Sequence, residues 1–243
     1  MPDDRQHRGP QTDDLRLFAG DQVPALRQAT SDLCWLLTRG YAIDSSLKLV
    51  GDRYRLVARQ RLAVLRSAAG ERAVAGRASR LVRPGDLAGT TLWIDGFNVI
   101  TSVEAALSGG VILGARDGTY RDLASVHGTY RKVTETMPAL GAIGRWLSRH
   151  ELAECVWWLD APVSNSGRLK ELILSTAGDH GWSWRAEVVP NPDAVLSASD
   201  AVVASADSQI LDRARRWCNL ARNVIDAEVP NCWLIDLSGP HRA

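Results

Sequence analysis

Leu92-Trp93-Ile94-Asp95-Gly96-Phe97-Asn98 is the stretch on which the fold turns. Three apolar residues too short for a helix run into Asp-Gly, the signature of a buried strand that stops abruptly. The same pattern recurs downstream. Val156-Trp157-Trp158-Leu159 halts at Asp160, Glu187-Val188-Val189 halts at Pro190, and Ala201 to Ser205 leads to Asp207. Helical periodicity fills the gaps: Leu140, Ile143 and Leu147 up to His150, then Leu169, Leu172, Ile173 and Thr176. A long amphipathic helix is expected through Ile210, Ala214, Trp217, Ala221 and Ile225, with a last strand over Cys232 to Leu237. Apolar strands alternating with helices predict an α/β fold: a mostly parallel sheet with helices on both faces.

Within this pattern, Ser102 to Leu107 reads as a short helix ending at Gly109-Gly110. Val111 to Leu113 and Thr119 to Leu123 flank Asp117-Gly118 as a hairpin. Trp157 and Trp158 fall on opposite faces of their strand and are expected to pack; Trp182 and Trp184 are placed toward an edge.

Upstream the texture is helical. Leu26, Ala29, Leu33, Leu36 and Leu37 predict a helix over 22–40 that stops at Gly40. A second is expected from Asp52, as N-cap, to about Ala69, with Tyr54, Val57, Ala58 and Leu65 on one face and Arg55, Arg59 and Arg66 on its neighbour. Arg61 falls inside the apolar stripe, which favours pairing with a carboxylate over pointing toward a ligand. Residues 70–90, rich in Gly and Arg, read as a linker. The expected organisation is a disordered leader over 1–20, a small all-α domain over 21–82 and the α/β domain over 90–240.

Charge separates these parts. The 243 residues carry a formal net charge of +1, but 39–83 alone sums to +8, leaving −7 elsewhere. A basic part joined to an acidic one suits polyanion binding next to a metal site, although an arginine-rich coding bias would also produce it. The four cysteines, Cys34, Cys155, Cys218 and Cys232, form no metal or disulfide spacing. There is no apolar run of about 18 residues and no signal peptide, so the cell interior is the expected location.

In open α/β sheets, ligands bind beyond the carboxyl ends of the strands. Asp95, Asp160 and Asp207 end strands at that edge, with Asp193 and Asp200 just before the third. Aspartate also ends strands simply to cap the next helix, but clustered carboxylates repel unless a cation sits among them. Oxygen-only ligands favour Mg²⁺ or Mn²⁺. Phosphate contacts are expected from Arg55, Arg59 and Arg66. Within Arg116 to Arg131 a further ligand (Asp117), phosphate contacts (Arg121, Arg131) and a proton carrier (His127) are available, unless the segment is merely a charged hairpin. Ser166 and Arg168, opening the helix after Asp160, offer a phosphate seat or a plain cap. No nucleotide-binding glycine fingerprint is present.

Asp95-Gly96-Phe97-Asn98 resembles the opening motif of NYN ribonucleases, a branch of the PIN-like nucleases. Val156 to Asp160 resembles their second acidic strand, and Ser205-Ala206-Asp207 their Thr/Ser-x-Asp strand end. The resemblance implies metal-ligand roles for Asp95, Asp160 and Asp207, with Asp193 or Asp200 as a fourth, and a bracing role for Asn98. Residues 25–240 also resemble an uncharacterised prokaryotic family that joins a helical domain, carrying Gly51-Asp52-Arg53-Tyr54 and Arg59-Gln60-Arg61, to a PIN-like domain. Together they imply a metal-dependent endoribonuclease acting on nucleic acid, with RNA as the expected kind, or a PIN-like scaffold that binds RNA or protein without cutting. The segment from Arg116 to Arg131 departs from the NYN pattern.

Overall fold

The computed structural model describes residues 7–124 and 130–239. The N-terminal region is all α-helical: α1 (Asp14–Leu17), α2 (Val23–Thr38), α3 (Ile43–Arg53), α4 (Ala58–Ser67) and α5 (Glu71–Ser79). Helix α2 follows the expected bounds, with Leu26, Ala29 and Leu33 buried along one stripe. The single helix expected from Asp52 is two helices. Asp52 lies in the last turn of α3, and the chain reverses at Tyr54 and Arg55, the latter at φ 51°. Arg61 drives that corner. Its guanidinium lies over Gly51, where a Cβ would stand 2.5 Å away, and donates to the Leu56 carbonyl at 2.9 Å and to Asp52 at 2.7 Å. The misfit arginine is therefore a structural pair, as favoured.

Two segments expected to be unstructured are built into the fold. In the leader, Asp14 is fully buried against Arg59, Leu17 and Phe18 enter the core, and Arg8 reaches buried Glu104. In the supposed linker, α5 is followed by a strand-like contact of Leu81 with Trp217 and a 3₁₀ turn over Pro84–Asp86.

The α/β part runs β1 (Thr91–Asp95), α6 (Gly96–Leu107), β2 (Val111–Gly114), β3 (Tyr120–Asp122), α7 (Thr136–Leu147), β4 (Glu154–Asp160), α8 (Ser166–His180), β5 (Trp184–Val189), α9 (Pro192–Ser197), β6 (Val202–Ala204), α10 (Ser208–Arg213), β7 (Trp217–Cys218), α11 (Leu220–Glu228) and β8 (Trp233–Asp236). Five strands make an all-parallel sheet in the order β5-β4-β1-β6-β7. Helices cover both faces. Leu92, Ile94, Trp157 and Leu159 point into the core with α6, α7, α8 and α11, while Trp93, Trp158 and Val203 meet Leu196 and Ile210 of α9 and α10. Trp182 stacks on Trp184 at 4.8 Å and covers Gly144, so these edge tryptophans pack as well.

The long helix expected through Ile225 is interrupted, because Trp217 pairs across the structure. Its amide donates to the Arg80 carbonyl, its carbonyl accepts from Val82, and its indole N–H donates to the Arg77 carbonyl at 2.7 Å. These contacts turn an apparent helix position into the edge strand β7. The last strand, β8, joins a second, three-stranded sheet in the order β3-β2-β8 rather than the main one. One face of this small sheet, with Val111, Leu113 and Ile235, shares a core with Leu26, Leu33, Ala63 and Val64 of the N-terminal helices. The helical region and the α/β part are thus continuous in their packing. No described helix is long and apolar enough to cross a membrane.

Candidate functional site

Strand β1 lies at the centre of the main sheet, and the chain leaves it toward β4 and β5 on one side and β6 and β7 on the other. The crevice at the carboxyl end of β1 is therefore the topological switch point, where open α/β sheets bind ligands. Asp95 ends β1 there. The next residue can only be small: a Cβ on Gly96 would meet the Leu159 side chain at 2.5 Å and the Trp158 carbonyl at 3.0 Å. That close approach seats the start of α6 against β4.

The loop after β6 is tied to this point by hydrogen bonds. The Ser205 hydroxyl donates to Asp95 Oδ2 at 2.7 Å and accepts from the Asp207 amide at 3.0 Å. Asn98 Oδ1 accepts from the Ala206 amide at 2.8 Å, a second tie between the start of α6 and this loop. Asp207 caps α10, accepting from the Gln209 and Ile210 amides at 2.7 and 3.3 Å through Oδ1. The capping role and the edge position coincide in one residue.

Four carboxylates sense one another here. Burial pushes Asp95 up to about 7; the Ser205 hydroxyl opposes this, and Asp193, Asp207 and Asp160 add to it. Burial also raises Asp160, helped by Asp193, and raises Asp193, helped by Asp207. Asp200 lies outside the group: its side chain is 82% exposed and pairs with Arg215 at 2.6 Å. Of the two candidates for a fourth acid, the structure brings in Asp193. Among the described residues, no three carboxylate, histidine or cysteine groups converge closely enough to ligate one ion by themselves. The donor set still fits Mg²⁺ or Mn²⁺ in kind, being all oxygen. Mg²⁺ commonly takes one or two carboxylates and fills its shell with water and substrate phosphate.

The acidic edge opens into a cleft of about 1250 Å³. Its acidic side carries Asp95, Asn98, Asp193 and Asp207, and its basic side, formed by α2, α4 and α5, carries Arg66, Arg72, Arg77 and Arg80; Asp160 does not line it. Most of these cations are already engaged. Arg77 is buried between Asp117 at 2.5 Å and Asp212 at 2.8 Å, and Arg80 donates to the Ala214 carbonyl at 2.5 Å. Arg66 donates to the carbonyls of Asp122 and Ala124. Arg72, exposed in the first turn of α5, makes no ion pair or hydrogen bond among the described residues. It is the cleft residue that sequence reasoning passes over, because its segment reads as a linker.

Several expected phosphate contacts are committed elsewhere. Arg59 is spent on Asp14, with a second contact at 2.7 Å. Arg121 is buried, donating to Asp117 and to the Ala206 carbonyl, both at 2.7 Å. Although burial favours its neutral form, Asp117 is held well below the usual carboxylate range by Arg121, Thr119 and Arg77, so it is an ion-pair partner and not a spare ligand. The Ser166 hydroxyl turns inward to the carbonyls of Asp160 and Val163. Arg55 is exposed at the α3–α4 corner and does not line the cleft. Arg131 and Arg168 lie together at a separate cavity. His127 falls outside the described residues.

Residues 84–223 match the family described as a domain of unknown function, DUF5616. The chain belongs to this family. Its residues 25–80 match a second description, a protein of unknown function, DUF434. The chain is 32% identical over 187 residues to the uncharacterized protein MJ0935 of Methanocaldococcus jannaschii, covering 77% of this chain and 89% of the relative. No solved structure matches. The cleft lies where the two matched segments meet. Its basic wall, from Leu37 to Arg80, comes from the DUF434 segment, and its acidic wall, from Asp95 to Asp212, from the DUF5616 segment.

Proposed function

We propose that the protein is a metal-dependent nuclease hydrolysing phosphodiester bonds, with RNA as substrate and Mg²⁺ or Mn²⁺ as cofactor. One observation carries this reading: the buried Asp95, raised by burial and by three neighbouring aspartates at a sheet switch point, lines a cleft that also carries Arg72, unpaired among the described residues. A cation relieves that repulsion, and a polyanion fits between the walls only with its charge balanced on both sides. The resemblance to PIN-like NYN ribonucleases supports the same chemistry on the same residues, Asp95, Asp160 and Asp207. Bound metal would lower the pKa of a water and offset charge on the scissile phosphate. The chain's own part is to hold Asp95 through Ser205, to fix the Asp207 loop through Asn98, and to meet the substrate backbone with Arg72. Such backbone contact is sequence-blind and weakens with salt.

Labelled single-stranded RNA incubated with Mn²⁺ tests this. Cleavage is expected with the wild-type protein and its loss, by at least about a hundredfold, with Asp95→Asn or EDTA. Arg72→Glu is expected to weaken RNA binding. Unchanged cleavage by Asp95→Asn would sink the assignment.

A second reading is a binding module of the same cleft that does not cut. The lack of three converging ligands among the described residues favours it. A salt-sensitive gel shift that survives EDTA, without cleavage in any divalent ion, would establish it.

A further inference from the structure

A second cavity, of about 370 Å³, opens beside the Asp160 end of the acidic edge. Two segments form it, Tyr130 to Lys132 and the loop that starts α8. They are fastened to each other: the Tyr130 amide donates to the Ser164 carbonyl at 3.1 Å, and the Asn165 side-chain amide donates to the Tyr130 carbonyl at 2.8 Å. Asn165, at φ 72°, gives α8 no side-chain cap.

The lining is chemically one-sided. Arg131, Lys132 and Arg168 line it, Lys132 and Arg168 bring two positive charges to it, and no carboxylate lines the cavity among the described residues. Lys132 and Arg168 are exposed and form no ion pair or hydrogen bond among the described residues. Tyr130, Leu169 and Leu172 supply an apolar side. Like charges gathered around one cavity repel unless an anion neutralises them, and the volume exceeds what a lone phosphate fills. A phosphate carrying an attached ring system satisfies both walls.

The cavity is mechanically joined to the cleft. Phe97 lines the cleft and Tyr130 lines the cavity, with their rings 5.3 Å apart. The Ser166 hydroxyl, in the first turn of α8, donates to the carbonyl of Asp160. We infer that this cavity binds a nucleoside monophosphate unit, free or as the phosphorylated end of a strand, with Lys132 and Arg168 on the phosphate. The inference stands whether or not the acidic edge cuts, since it concerns binding alone.

Calorimetric titration of the full chain in EDTA tests it. Adenosine 5′-monophosphate is expected to bind saturably, with adenosine weaker by about tenfold or more. The Lys132→Glu/Arg168→Glu double variant is expected to lose about tenfold, whereas Arg213→Glu, a surface charge change elsewhere, stays within about twofold. If the free nucleotide does not bind but a 5′-phosphorylated RNA binds about tenfold better than its unphosphorylated twin, and the double variant removes that preference, the strand end is the ligand. The inference is overturned if neither probe binds, or if the double variant binds either one as well as the wild type.

Discussion

Asp95 stores an electrostatic cost that its neighbours do not refund. Its carboxyl is raised from an ordinary 3.8 to about 7 by burial and by three other aspartates. Between those two values the folded chain holds a proton that the unfolded chain has released. The contribution of Asp95 to stability therefore falls as pH rises from about 4 to about 7 and is flat above. Asparagine has no charge to desolvate, so Asp95→Asn is expected to melt higher than the wild type at pH 8, by up to about 4 kcal/mol of unfolding free energy, and to lose that advantage by pH 4. Thermal melts followed by circular dichroism at the two pH values check this; an equal or lower melting temperature at pH 8 would refute it. The aspartates were legible in the sequence because a strand followed by Asp is a local pattern. The fates of Arg59 and Arg121 were not, because their fixed partners are Asp14 and the Ala206 carbonyl, 45 and 85 positions away. A helical wheel shows which face an arginine occupies but not what covers that face.

Elements were misjudged where a distant contact outweighed local periodicity. Ile210, Ala214, Trp217 and Ala221 keep helical spacing, yet α10 ends at Arg213 and Trp217 belongs to a strand. The indole is 1% exposed and bonded to the Arg77 carbonyl, which no helix through this position would allow. Trp217→Ala is expected to cost about 3–5 kcal/mol, read as a shift in the urea midpoint. A cost below about 1 kcal/mol would mean that β7 is not what interrupts the helix. The α3–α4 corner has the same logic on a smaller scale: Asp52 looks like the start of one basic helix, whereas it ends α3, bonded to the Arg61 guanidinium that lies over Gly51. By contrast, β1, β4, β5 and β6 were found near their true positions, because buried parallel strands announce themselves as short apolar runs.

At the scale of the whole molecule, the expected boundary near residue 83 does not separate two cores. Val111, Leu113, Leu123, Ile235 and Leu237 are buried in a cluster with Leu17, Leu26, Leu33 and Val64. A fragment beginning at Arg83 would expose that face, so it is expected to bind the dye ANS strongly and to aggregate, whereas the full chain does neither. A monomeric, dye-silent fragment with native circular dichroism would show that the α/β part folds alone. The charge asymmetry in the sequence corresponds to the basic and acidic segments that line one cleft; what it could not show is that Arg66, Arg77 and Arg80 are already bonded to the rest of the fold.

That last point bears on how anything enters. Asp117, fully enclosed, is gripped by Arg77 from the helical wall and by Arg121 from the hairpin that also fastens the Asp207 loop. It works as a rivet through both jaws. Parting them would strand a buried ion, at about 3–5 kcal/mol, so fewer than about one molecule in a hundred would stand open at any moment. If the proposed substrate is right, a strand would have to fit the gap as it stands, and single-stranded RNA is then expected to bind more tightly than a duplex of the same sequence, as a gel shift would read.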